Sequence, residues 1–116
     1  MFLETLLTHW GYIVECASDG EEARARLASS DSAFDVAIVD QTMPNLLGTQ
    51  LLAWAKEAGL STPMILCTGY SDDLDEAQAL AHGAASMLRK PVETGLLRSL
   101  LNRYAPRVDD SARQSR

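Results

Sequence analysis

The sequence predicts an α/β fold, a doubly wound parallel sheet in one domain, on three observations. Amphipathic segments with helical spacing alternate with short apolar runs along the 116 residues. The runs are continuous in apolar character, VAIVD at 36–40 being the clearest, as suits strands covered on both faces. The links between segments are short, which makes successive strands parallel with right-handed helical crossovers.

Each element has its own local justification. Phe2, Leu3, Leu6, Leu7 and Trp10 recur at helical spacing and Gly11 stops them. Tyr12 to Ala17 reads as a first strand. Ser18 with Glu21 forms a capping box for a helix EEARARLA that turns Ala23 and Leu27 inward. Asp35 to Asp40 is the second strand. Leu47, Leu51 and Ala55 then mark one face of a helix ended by Gly59. Thr62-Pro63 opens the third strand, MILCT, which closes at Thr68, and Ser71 caps a helix through Leu74, Ala77 and Ala81 to Gly83. Ala84 to Leu88 is a weaker fourth strand before Arg89-Lys90-Pro91. The last helix places Leu96, Leu97, Leu100 and Leu101 on a wide apolar face, with Pro106 after it. Residues 1–105 therefore make the domain, and 106–116, polar from VDDS onward, are expected to be a disordered tail.

Composition narrows the function classes. An apolar fraction of 47% with 22% charged residues is that of a globular protein, and −6 net charge argues against broad contact with nucleic-acid phosphates. No apolar run reaches the roughly 20 residues of a spanning helix, so no membrane role is expected. The start, MFLETLLTHWG, lacks the basic flank and cleavage site of a secretory signal. Cys16 and Cys67 show no metal-type spacing and read as buried free thiols, which fits a reducing cytoplasm. His9 and His82 sit near helix ends, where a cation is favoured, and suggest neither a metal site nor a phosphorelay histidine.

The informative convergence is at the carboxyl ends of the strands, where the crevices of open α/β sheets take their ligands. Three successive strands deliver Asp40, Thr68 and Lys90 to one rim. Their shared chemistry is phosphoryl transfer to a carboxylate. Asp40 is ionised at neutral pH and serves as nucleophile, Lys90 gives a positive point charge for phosphoryl oxygens, and Thr68 gives a hydroxyl donor. Gly69 leaves the approach to Asp40 open. Charge neutralisation by magnesium would normally need more than one carboxylate.

These residues resemble the receiver domain of two-component response regulators over nearly the whole chain, to about Tyr104. VDQTMPNLLG looks like the family's phosphoacceptor segment, ILCTGY its Ser/Thr segment and GAASMLRKP its Lys-Pro segment. The resemblance implies a flavodoxin-like receiver fold with strand order 2-1-3-4-5, and a protein that is a phosphoacceptor rather than an enzyme, though able to hydrolyse its own acyl phosphate. It makes Asp40 the residue phosphorylated by a histidine kinase or phosphotransfer protein, Thr68 the switch hydroxyl and Lys90 the phosphoryl-binding lysine. It also makes the backbone carbonyl of Thr42 a ligand of magnesium beside Asp40, and the Lys90-Pro91 bond cis. CTGYSDDLDEA looks more like the receivers of hybrid kinases. Output would be by protein–protein contact.

Two departures qualify what is implied. Met87 stands where receivers usually carry a Tyr or Phe whose ring moves on activation. The chain also begins within what resembles the family's first helix, without the first, central strand and the acidic pair at its end. Met1 looks like an internal methionine of that helix, so either the start is truncated or the form is naturally degenerate. Glu15, Asp19, Asp72 and Asp73 read as helix-start and loop charges rather than replacements for the pair. Weak magnesium binding and slow or absent phosphorylation are expected. The Tyr12–Ala17 strand, left without its neighbour, must pair with the Val36 strand or with another chain, which makes a homodimer through the unpaired strand one expectation. Two rival readings are a pseudo-receiver that only docks partners and a haloacid-dehalogenase-type phosphohydrolase. The latter usually has a second Asp two positions after its nucleophile, where Thr42 stands here.

Overall fold

A computed structural model describes residues 2–29, 34–69 and 74–105. The elements are α1 (Phe2–His9), α2 (Gly20–Ser29), β1 (Ala37–Asp40), α3 (Gly48–Glu57), β2 (Met64–Thr68), α4 (Glu76–Ala81), β3 (Ser86–Arg89) and α5 (Thr94–Tyr104). The three strands are parallel in the order β1-β2-β3. Among the described residues no strand precedes β1. Ser71, Asp72, Asp73 and the expected tail lie outside the described residues.

Alternation along β2 explains the doubly wound build. Met64 and Leu66 join one buried cluster with Leu27, Leu51, Leu52, Ala55 and Ala79, from α2, α3 and α4. Ile65 and Cys67 join the other with Leu97, Leu100 and Leu101 of α5, against which Leu3, Leu6 and Leu7 of α1 and Trp10 just after it pack. Every residue of β2 is buried, so its sequence has no polar alternation to show. Arg98 closes the α1–α5 contact by lying 4.8 Å from the centroid of the Trp10 ring. Gly11 and Gly59, at φ 97° and 76°, end α1 and α3 in the left-handed conformation, as expected from their positions.

Several sequence expectations are corrected. Tyr12 to Ala17 forms no strand, and Ile13 is fully exposed. A strand needs a second strand's N–H and C=O groups in register, and no described strand pairs with this segment. The outer edge of β1 is open for the same reason. Ala37 and Gln41 donate their N–H groups to Pro63 and Cys67 on the β2 side, which turns those of Ile38 and Asp40 outward, where no described strand meets them. Leu47 precedes α3 and is exposed; the buried face is Leu51, Leu52 and Ala55. In α4 the inward residue is Ala79, with Ala77 and Ala81 exposed, and Asp75 caps it by accepting from the Gln78 N–H. Leu96 is exposed on α5 and Cys16 is an exposed thiol, while Cys67 is buried as expected. No described helix is long and apolar enough to cross a membrane.

Candidate functional site

Backbone hydrogen bonds gather the three predicted residues at one rim. The Gln41 N–H donates to the Cys67 carbonyl at 2.9 Å and the Lys90 N–H to the Thr68 carbonyl at 2.7 Å. The ends of β1 and β3 are thus tied to β2 just where Asp40 and Lys90 emerge. Side-chain alternation then separates their roles. Asp40 Oδ1 and Lys90 Nζ are 3.2 Å apart, with 41% and 46% of their side chains exposed, an ion pair open to solvent. Such a pair contributes little to stability, so its placement matters for what approaches it.

Thr68 shares the rim but not the pair. It is fully buried, and its Oγ1 has no hydrogen-bond partner among the described residues. A buried hydroxyl without a partner costs about 1–3 kcal/mol, so this oxygen is held in a position that an incoming acceptor would relieve. Cys67, opposite Asp40 in register, feels the same neighbours. Burial chiefly, then the Asp40 charge, push its thiol up to about 11 against the opposing Lys90, which keeps it protonated and unreactive.

The residue after Asp40 does structural work that the sequence did not announce. Gln41 caps α3: its carbonyl accepts from the Gly48 N–H at 2.9 Å and its Oε1 from the Thr49 N–H at 2.9 Å. Leu47 donates its N–H to Gln50 Oε1 at 2.8 Å. The 41–47 loop is also held from the other side by the start of α2. The Gly20 N–H donates to the Pro44 carbonyl at 3.2 Å, and Asn45 Nδ2 to Asp19 Oδ2 at 3.0 Å. Asn45, at φ 73°, is the non-glycine residue in the left-handed region among those described.

The α2 cap is shifted by one residue from the Ser18–Glu21 box expected. Asp19 Oδ1 accepts from the Glu22 N–H at 2.8 Å, and Glu22 Oε1 accepts from both the N–H and hydroxyl of Ser18 at 2.7 Å. Asp19 is therefore a helix-start charge, as read from the sequence. The Ser18 N–H first, then its hydroxyl and Arg26, hold the Glu22 carboxyl down at about 2. A carboxyl depressed in the folded state stabilises it above the ordinary carboxylate range, and that contribution is lost as pH falls from about 4.5 toward 2. Carboxyl chemical shifts followed by pH titration should give Glu22 a midpoint near 2, with the first turn of α2 loosening over the same window.

Magnesium takes hard oxygen ligands. Asp40 supplies one carboxylate and Thr42 a backbone carbonyl in the loop, but the described residues contain no group of three or more His, Cys, Asp or Glu able to hold a metal. These residues alone do not fit the ion. Met87, at the candidate switch position, is partly buried against the α3–α4 cluster, and the Lys90-Pro91 bond is cis as implied. Sequence reasoning missed Gln41, Asn45 and Arg89, whose Nη2 donates to the Leu74 carbonyl at 3.0 Å. Pro44-Asn45 carried a turn signal, but nothing local pointed to its partner at Asp19.

Comparisons with known proteins agree on one family. The model of the response regulator receiver domain matches residues 1–102. The chain is 32% identical over 91 residues to the transcriptional regulatory protein DltR of Streptococcus agalactiae, covering 78% of this chain and 40% of that protein. It is 34% identical over 98 residues to the sensor histidine kinase RcsC of Salmonella typhimurium, covering 84% of this chain and 10% of that one. A solved receiver domain from Clostridium thermocellum superposes with a TM-score of 0.81 at 30% identity, covering 88% of this chain and 81% of the other. The chain thus spans less than half the length of these two curated relatives.

Proposed function

The chain belongs to the response regulator receiver domain family, and from that premise we propose that Asp40 is the phosphoacceptor of a two-component phosphorelay. The observation that carries this is the ion pair of Asp40 with Lys90 at 3.2 Å, on the rim where the buried Thr68 hydroxyl lacks a partner among the described residues. The phosphate donor is a histidine kinase or phosphotransfer protein. A carboxylate oxygen of Asp40 forms a bond to phosphorus while the bond from phosphorus to the donor's histidine nitrogen breaks, the imidazole leaving with the electron pair. Lys90 neutralises charge on the phosphoryl oxygens, and the Thr68 hydroxyl turns to donate to one of them.

Receivers are generally signalling domains rather than enzymes, and generally magnesium-dependent. Slow hydrolysis of the acyl phosphate, water attacking phosphorus and Asp40 leaving as carboxylate, would reset the domain. The added charge of about −1.5 to −2 pulls on Thr68 and Lys90 and alters the faces around β2, β3 and their helices, including Met87. Output through a protein partner in the cytoplasm, rather than through nucleic acid, accords with the net charge of −6. Because the donor set does not hold magnesium alone, phosphorylation of this chain is slow. That shortfall also supports the second reading, a pseudo-receiver that docks partners without phosphorylation.

Intact mass after incubation with magnesium and a small phosphodonor tests both, beside Asp40→Asn. One added phosphoryl group, gained slowly by the chain and not by the variant, supports the proposal. Addition that persists in Asp40→Asn overturns the assignment of Asp40, rapid full addition overturns the impairment, and no addition favours docking alone. Spectra taken under native conditions on the same samples should show a concentration-dependent dimer if copies pair through the open edge.

A further inference from the structure

We infer that Asp19 is a positioning residue for the phosphoacceptor loop, acting through Asn45. The inference deepens the reading of Asp40 given above and rests on it for its kinetic consequence. The loop from Gln41 to Leu47 leaves β1 one residue after Asp40. Its two ends are secured close by, at Gln41 by the Cys67 carbonyl and α3, and at Leu47 by Gln50. Its apex is 26 residues from the group that holds it, and that group is the Asp19 carboxylate.

One carboxylate here serves two masters. Oδ1 caps the first turn of α2 through the Glu22 N–H at 2.8 Å, and Oδ2 accepts from Asn45 Nδ2 at 3.0 Å. A charged acceptor makes both bonds stronger than neutral ones. The contact is closed by packing. A Cβ at Gly20 would overlap that of Leu46 and lie 2.8 Å from the Leu46 carbonyl, and the Gly20 N–H itself holds the Pro44 carbonyl. Three consecutive loop residues, Pro44, Asn45 and Leu46, are therefore read by two consecutive residues at the start of α2. Asn45 is also the loop residue at positive φ, a conformation that its side-chain bond to Asp19 helps to hold.

The consequence is a mechanical link from the outer end of α2 to the segment that carries Asp40 and the Thr42 carbonyl. Loss of the link leaves the apex held only by the Gly20 N–H bond to Pro44 and the packing on Leu46, and its orientation toward an incoming phosphoryl group becomes less defined. Asp19 bonds to Glu22 and Asn45 while Asp40 pairs with Lys90, so its effect on the site is through geometry.

Two variants separate positioning from folding. Asn45→Gly removes the amide but adopts positive φ freely, and Asp19→Ser keeps a good helix cap while falling short of Asn45. Hydrogen exchange of the amides of residues 42–47 should rise about fivefold in either variant, the size of one modest hydrogen bond, and no further in the double variant. With a small phosphodonor, the maximal rate of Asp40 phosphorylation should fall severalfold at unchanged half-saturating donor concentration. Loop exchange at the parental rate overturns the inference, as does raised exchange with an unchanged phosphorylation rate. If the parental chain takes no phosphoryl group, the exchange result alone decides the positioning role, and the failure is that of Asp40 as acceptor.

Discussion

Gly48→Ala is expected to lower the unfolding free energy by about 2–3 kcal/mol, read as a lower denaturant midpoint at constant slope. The new Cβ would stand 2.6 Å from the Asp40 carbonyl oxygen, 2.7 Å from Leu66 Cδ1 and 2.9 Å from Gln41 Cα. Two of those three neighbours are backbone at the end of β1, which cannot swing aside as a side chain would. The strain must move either α3 or the strand end, and both carry the site. Moving α3 weakens the bonds from Gly48 and Thr49 to Gln41, and moving β1 displaces Asp40 from Lys90. Gly95→Ala is the matched control. Its nearest contact is a carboxylate oxygen of Glu93 at 3.1 Å, the far end of a flexible side chain, and alanine improves helix propensity there. Equal midpoints for the two variants would show that the close approach at Gly48 is not maintained in solution.

The second large effect has the opposite sign. Thr68→Val should raise the unfolding free energy by about 1–2 kcal/mol, because valine has the same shape, suits a strand and removes a buried oxygen that has no partner. Under the proposed function, phosphorylation or a phosphoryl mimic should raise the thermal stability of the parental chain, and the same change should abolish that increment. Thr68→Ser, which keeps the hydroxyl and gives up the methyl, should be less stable than the parent yet retain that increment. A destabilised Thr68→Val would mean that the hydroxyl is already bonded in the resting state, and the idea of an oxygen waiting for an acceptor would fail. Stability and response are thus opposed at one atom, a pattern expected where function requires a polar group that folding alone does not reward.

The sequence by itself determined where the helices lie and, of the four runs it offered as strands, the three that pair in the sheet were among them, with the residues at their carboxyl ends. Those features are written in local pattern. MILCT is apolar throughout because both faces of β2 are covered, and the boundaries of β2 agree with the prediction residue for residue. Asp40, Thr68 and Lys90 followed from reading where each run stops. What only the tertiary structure decided depends on partners distant in sequence. Tyr12 to Ala17 has strand composition, yet a β-ladder is a property of two segments, and no described strand lies in register with this one. Thr68 stands at the rim as read from the sequence, but its full burial and its lack of a hydrogen-bond partner among the described residues are properties of the closed fold. Asp19 was legible as a helix-start charge, whereas its bond to Asn45 spans 26 residues and no local signal joins the two. Apolar periodicity records how each segment meets the core, and it carries no record of which polar groups meet when the core closes.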